Sequence, residues 1–166
     1  MKILGTFLSA ILLVSLTPAA MAASPVKTSK LYAFKGKYHG TVNYGGVATG
    51  TTTGSISASK KKEVGNVTLN SVLSLGGSTA PLTETISIQK KTASYLIQIA
   101  GTTGTGSGSA SVSKNTITYS VPFSASGLNY VVNGTIRRTK KGLTVVETIS
   151  GNVAFTITYT LKRSGK

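Results

Sequence analysis

From residue 36 to residue 162 apolar and polar side chains alternate with a period of two, and Thr, Val, Ile and Tyr carry most of the pattern. A period of two places successive side chains on opposite faces of a strand, so each such segment has one face to cover. Ten strands are predicted, at 36–44, 50–59, 64–75, 82–90, 94–100, 107–113, 116–123, 128–138, 143–150 and 153–162. The last carries Val153, Phe155, Ile157, Tyr159 and Leu161 on one face, opposite Ala154, Thr156, Thr158 and Thr160. Clusters of Gly, Ser, Asn, Lys and Thr separate the segments, as turns require.

Regular strands with short gaps predict an all-β fold, an antiparallel up-and-down meander of about ten strands. A meander of that size twists and curls, and closure removes its exposed edges. The expected architecture is therefore a closed barrel or a curled half-barrel, with a β-sandwich as the alternative. Two strands look weak. Segments 50–59 and 107–113 hold only Ile56 and Val112 as sizeable apolar residues, and the Gly-rich run 101–108 reads equally as a flexible loop or as a bent corner strand.

The charge pattern sharpens this picture. The chain has 18 Lys and Arg against three acidic residues, for a formal net charge of +15. The basic residues gather at 27–37, at Lys60, Lys61 and Lys62, at Lys90 and Lys91, at Lys114, at Arg137, Arg138, Lys140 and Lys141, and from Lys162 and Arg163 onward. The intervening turns, such as Gly45-Gly46-Val47-Ala48 and Gly76-Gly77-Ser78-Thr79, carry no charge. Consecutive turns of a meander alternate between its two ends, so every second turn being basic predicts one basic pole and one neutral pole. Lysines that merely blunt turns and edges would not skip every other turn. Parity places two-residue loops at Lys91-Thr92, Lys114-Asn115 and Thr139-Lys140, since a slip of one residue would swap the faces.

The first residues read differently. Lys2 precedes a mostly apolar stretch, 3–16, and Ala20-Met21-Ala22 sets small residues before a cut. The stretch is shorter than the roughly 20 residues of a membrane-spanning helix. Residues 1–22 are predicted to be a secretory signal peptide, 23–35 a short N-terminal segment and 36–166 a single β domain. The expected location is exported, periplasmic or secreted, with the outer membrane as the alternative. There is no cysteine, hence no disulfide framework.

Candidate chemistry is sparse. Glu84 and Glu147 fall on apolar faces, where a carboxylate needs hydrogen bonds, a partner or a proton. Their strands lie five apart, on opposite walls of a ten-stranded barrel, and nearer the neutral end than the basic one. The two are candidate cavity carboxylates, or structural residues bonded to Thr or Tyr neighbours. Opposite walls do not suggest the separation of about 5 to 9 Å that paired-carboxylate glycosidases use. His39 is the single histidine and lies on the polar face of the first strand. No metal cluster, cofactor motif or nucleophile with its base is evident. Asn66-Val67-Thr68 and Asn133-Gly134-Thr135 match the glycosylation sequon.

These features predict a non-enzymatic, exported β-barrel binding protein. Its apolar interior would hold a core or a small hydrophobic ligand, and its basic pole would dock on an anionic envelope surface or polymer. Nucleic acid is disfavoured as a partner, because the tyrosines lie on apolar faces rather than among the lysines. The alternatives are a small outer-membrane barrel and an enzyme or glycan binder using the inward carboxylates.

Overall fold

The computed structural model describes residues 28–165, so the predicted signal segment lies outside the described residues. A 3-10 turn, Leu31–Phe34, is followed by ten strands: β1 Gly36–Tyr44, β2 Ala48–Ala58, β3 Val64–Leu75, β4 Ser78–Gln89, β5 Thr92–Ile99, β6 Thr102–Val112, β7 Thr116–Ala125, β8 Leu128–Arg138, β9 Gly142–Gly151 and β10 Phe155–Arg163. Each strand pairs antiparallel with its neighbours in sequence, and β1 pairs with β10 to close the ring. The closed barrel is the expected up-and-down form, and the sandwich alternative is excluded by that β1–β10 ladder.

Inward positions supply one continuous apolar cluster, from Val42 and Ile56 through Ile86, Ile117 and Val121 to Ile149 and Ile157. Outward positions are mostly threonine and serine, as in β2, where Thr49, Thr51, Thr53, Ser55 and Ser57 face solvent. Burying this apolar face drives closure, at roughly 25 cal/mol for each Å² removed from water.

The weak segments are full strands. In β6 a side chain at Gly106 or Gly108 would overlap the carbonyls of Pro122 or Ser120 on β7. Those glycines let the two backbones approach closely. The β6–β7 ladder is interrupted at Ser107 and Gly108, opposite Val121 and Pro122, and proline has no N–H to give. The run 101–108 is therefore a turn entering a strand, not a flexible loop.

Two of the three predicted hairpin registers are shifted by two residues. Val112 pairs with Ile117 as expected. Gln89 pairs with Thr92, so the β4–β5 loop is Lys90-Lys91, with Lys90 in the left-handed region at φ 58°. Arg138 pairs with Leu143, leaving the loop Thr139-Lys140-Lys141, in which the Thr139 hydroxyl accepts from the N–H groups of Lys141 (3.3 Å) and Gly142 (3.1 Å). A shift of two keeps every side chain on its face, which is why parity alone did not detect it.

The segment before β1 belongs to the core. Leu31 and Phe34 are fully buried and plug one end of the barrel. Glu63 anchors that plug by accepting from the N–H groups of Lys30 and Leu31 (2.9 Å to the latter), and Tyr38 OH donates to the Phe34 carbonyl at 2.6 Å.

Candidate functional site

Two regions hold the polar chemistry of the molecule: a cap at the plugged end and a small acidic layer at the centre. The cap follows from topology. The β2–β3, β4–β5, β6–β7 and β8–β9 turns share one end with the start of β1 and the finish of β10. That end carries Lys60, Lys61, Lys62, Lys90, Lys91, Lys114, Lys140 and Lys141 in its turns, with Arg137, Arg138, Lys162 and Arg163 at the adjoining strand ends. All are exposed except Arg138, which is half-buried. Among the described residues Glu63 is the only acidic side chain at this end, and its oxygens are taken by the plug. His39 lies outside the wall, with Nδ1 3.2 Å from the Ser164 hydroxyl.

The opposite end is uncharged. Its tight turns use pairs of residues with positive φ, such as Gly76 (56°) with Gly77 (85°) and Ser126 (50°) with Gly127 (75°), the geometry that two-residue hairpins favour. Val47, Leu75, Leu128 and Val153 are exposed around this rim. Just inside it, Tyr44 packs on Phe155 with ring centroids 4.8 Å apart and Phe123 packs on Tyr130 at 5.3 Å. The cleft between them is about 190 Å³, below the roughly 300 Å³ at which ligand pockets usually begin.

At the centre, Glu84 on β4 and Glu147 on β9 are fully buried. Their strands stand five apart in the ring, as expected, yet both carboxyls lie about midway along their strands rather than toward the neutral end, and they meet across the interior. The expectation that opposite walls would keep them apart is corrected here. The barrel is narrow enough for side chains from facing walls to touch. Tyr95 OH donates to Glu84 Oε1 at 3.3 Å and Tyr159 OH to Glu84 Oε2 at 2.7 Å. Tyr119 OH donates to Glu147 Oε1. Glu147 Oε2, taken as an ionised oxygen, is buried without a partner.

Burial pushes the Glu147 carboxyl well above the ordinary carboxylate range, and the neighbouring Glu84 charge pushes it further. Burial also raises Glu84, opposed by the hydrogen bonds from Tyr159, Glu147 and Tyr95. Of the two, Glu147 is the one held further toward the protonated form, and a proton on its buried Oε2 would leave that atom a neutral O–H rather than an unpartnered charge. The pair titrates as a unit, and like charges this close do not both ionise readily. The buried tyrosines are held as phenols: Tyr119 and Tyr95 are raised by burial and then by the two glutamates. Tyr44, nearer the rim, is pushed up to about 12, first by burial and then by Glu84.

One glycine makes this layer possible. Gly134 on β8 stands in register between Tyr119 on β7 and Glu147 on β9. A methyl group there would overlap the Tyr119 ring, so its absence lets Tyr119 reach across β8 to Glu147. The sequence reading placed both glutamates on inward faces but missed Gly134, whose signal was a lone glycine at an inward position of a strand whose other inward positions include Val132 and Ile136. It also missed Glu63, Leu31 and Phe34. The repeated apolar pair in Leu31-Tyr32-Ala33-Phe34 was the available sign of a core contribution.

No protein-family model matches the chain, and no curated protein matches it, so its function has to be read from its own residues.

Proposed function

We propose that this chain is an exported, non-enzymatic β-barrel binding protein that docks its basic cap on an anionic envelope surface. The observation that carries the reading is the collection of the basic turns at one end, with Glu63 as the only described acidic side chain among them and already engaged by the plug. Near an anionic bilayer each basic side chain contributes about 1 kcal/mol, falling off within a Debye length. Cosedimentation with vesicles tests it. Binding is expected to anionic vesicles and not to zwitterionic ones, and is expected to weaken steeply as salt is raised. Salt-insensitive binding, or none, overturns the docking.

The burial of Glu84 and Glu147 under tyrosines supports a structural role for the acidic pair over catalysis, because substrate would have to enter the packed core to meet them. The outward threonines and serines support a water-facing wall over a membrane-spanning barrel, which needs an outward apolar band. Recovery from the exporting cell in a soluble fraction without detergent is the expected outcome. A strict detergent requirement would restore the outer-membrane alternative.

A further inference from the structure

The cap is not uniform. Between the 3-10 turn, the β8–β9 loop and the end of β10 its surface sinks into a cleft of about 380 Å³, lined by Tyr38, Asn115, Arg138, Lys140, Lys141 and Arg163 among others. The two arginines are held in place. Arg138 donates from Nη1 to the Ala33 carbonyl (3.2 Å) and from Nη2 to Asn115 Oδ1 (3.1 Å). Arg163 donates from Nη2 to the Lys35 carbonyl at 2.7 Å. Every one of these acceptors is neutral. The guanidinium groups are oriented without being neutralised, and each keeps further N–H groups to give.

The rim is shaped by the same local chemistry. The Thr139 hydroxyl folds the β8–β9 loop by accepting from Lys141 and Gly142, which sets Lys140 and Lys141 beside the cleft. A side chain at Gly142 would overlap the Leu161 carbonyl, so β9 and β10 approach closely there. Lys141 is drawn toward Arg163, whose N–H donates to the Lys141 carbonyl at 3.4 Å.

Two pre-oriented guanidinium forks with two flexible ammonium groups suit a compact, highly charged acceptor. A phosphate monoester has three terminal oxygens and carries about −1.5 to −2 charges at neutral pH, and planar forks bind such oxygens in pairs. A phosphodiester has one charge and two free oxygens, and would leave donors unused. We propose that this cleft is a binding site for a terminal phosphate monoester borne on an envelope lipid headgroup. The proposal deepens the docking reading and rests on it: the remaining cationic residues bring the cap to the surface, and the cleft selects among anionic headgroups.

The test compares vesicles of matched surface charge containing phosphatidic acid, a monoester, or phosphatidylglycerol, a diester, with glycerol 3-phosphate as a soluble competitor. Binding to the monoester vesicles is expected to be tighter by about tenfold, and the Arg138→Gln/Arg163→Gln double variant is expected to lose that preference while still binding both. Because these arginines also hold the plug, a second variant, Lys140→Gln/Lys141→Gln, is measured too and is expected to reduce the preference with an unchanged melting temperature. Lys90→Gln/Lys91→Gln, away from the cleft, is expected to weaken both vesicle types equally. Equal binding of the wild type to both vesicle types, with no capture of glycerol 3-phosphate, overturns the cleft and leaves the docking intact. Binding to neither overturns both. Tight capture of glycerol 3-phosphate with no preference between the vesicles overturns the lipid source and assigns the cleft to a soluble phosphate monoester.

Discussion

The centre of the barrel and its cap handle charge in opposite ways. At the centre two carboxyls are brought together, sealed from water and met only by phenols, so that a shared proton lowers their charge. At the cap, lysines and arginines are spread over alternate turns and mostly open to solvent, and Arg138 and Arg163 are oriented by carbonyls and an amide rather than by carboxylates. The few acids and many bases of this chain are thus kept apart, with Glu63 spent on the plug. The difference teaches that stability and recognition are drawn from separate regions. Substitutions at the centre should cost folding and leave the cap's affinity for anions alone in whatever fraction folds, and substitutions of the cap's lysines should do the reverse.

The strongest way to break the contrast is at Gly134. Gly134→Val forces a branched side chain into the Tyr119 ring, and overpacking of this kind costs about 3 kcal/mol or more. Urea unfolding should show a much lower midpoint, or no folded protein at all. A midpoint like that of the wild type would mean that Tyr119 does not cross β8. Next comes Tyr159→Phe, which removes the shorter of the hydrogen bonds from tyrosine to Glu84. A buried acceptor deprived of its donor costs about 1–3 kcal/mol. Its affinity for anionic vesicles should be unchanged, and a parallel loss of binding would refute the separation of the two regions.

The acidic pair also makes stability depend on pH. A carboxyl with a folded pKa above its unfolded value of 4.5 keeps a proton that the unfolded chain releases. Between those two values the folded state binds more protons, so stability falls as pH rises, and the full contribution is present only below the unfolded value. The barrel should therefore unfold more readily at about pH 8 than at about pH 5, with a slope of up to about 1.4 kcal/mol per pH unit for each such group. Glu147→Gln supplies a permanent donor in place of the proton and should flatten that slope in urea titrations at several pH values. An undiminished slope would place the linkage elsewhere. The smallest effect on stability is expected at the cap: Lys60→Gln/Lys61→Gln/Lys62→Gln should leave the melting temperature unchanged while lowering binding to anionic vesicles several-fold. A large drop in melting temperature would show that the cap is part of the folding core.

Much of this was visible in residue order. Alternation marked all ten strands because each has one dry face, and the skipping of charge from turn to turn marked the cap because a meander sends alternate turns to opposite ends. The glutamates could be placed on inward faces by parity. What parity cannot express is distance across the interior, since it records which way a side chain points and not how wide the ring is. Hence the meeting of Glu84 with Glu147, and the gap at Gly134 that Tyr119 fills, became apparent only from coordinates. The cleft depends on Arg138 and Arg163, which are neighbours in space only because β8 and β10 flank β9, and both side chains reach carbonyls of the segment before β1. Parity also tolerated the two-residue shifts at Lys90 and Thr139, because an even slip leaves the dry face dry.

The ladder between β1 and β10, running from Tyr38 opposite Arg163 to Tyr44 opposite Ile157, has a kinetic consequence. Every other pairing joins strands adjacent in the chain and can form as a local hairpin. This one alone brings together segments more than a hundred positions apart, and its loop-closure entropy is met before the contacts reward it. Until that seam pairs, the chain has two unpaired margins, β1 and the Thr-rich β10. At high concentration those margins can find another copy's edge first, so refolding yield should depend on dilution more than on temperature.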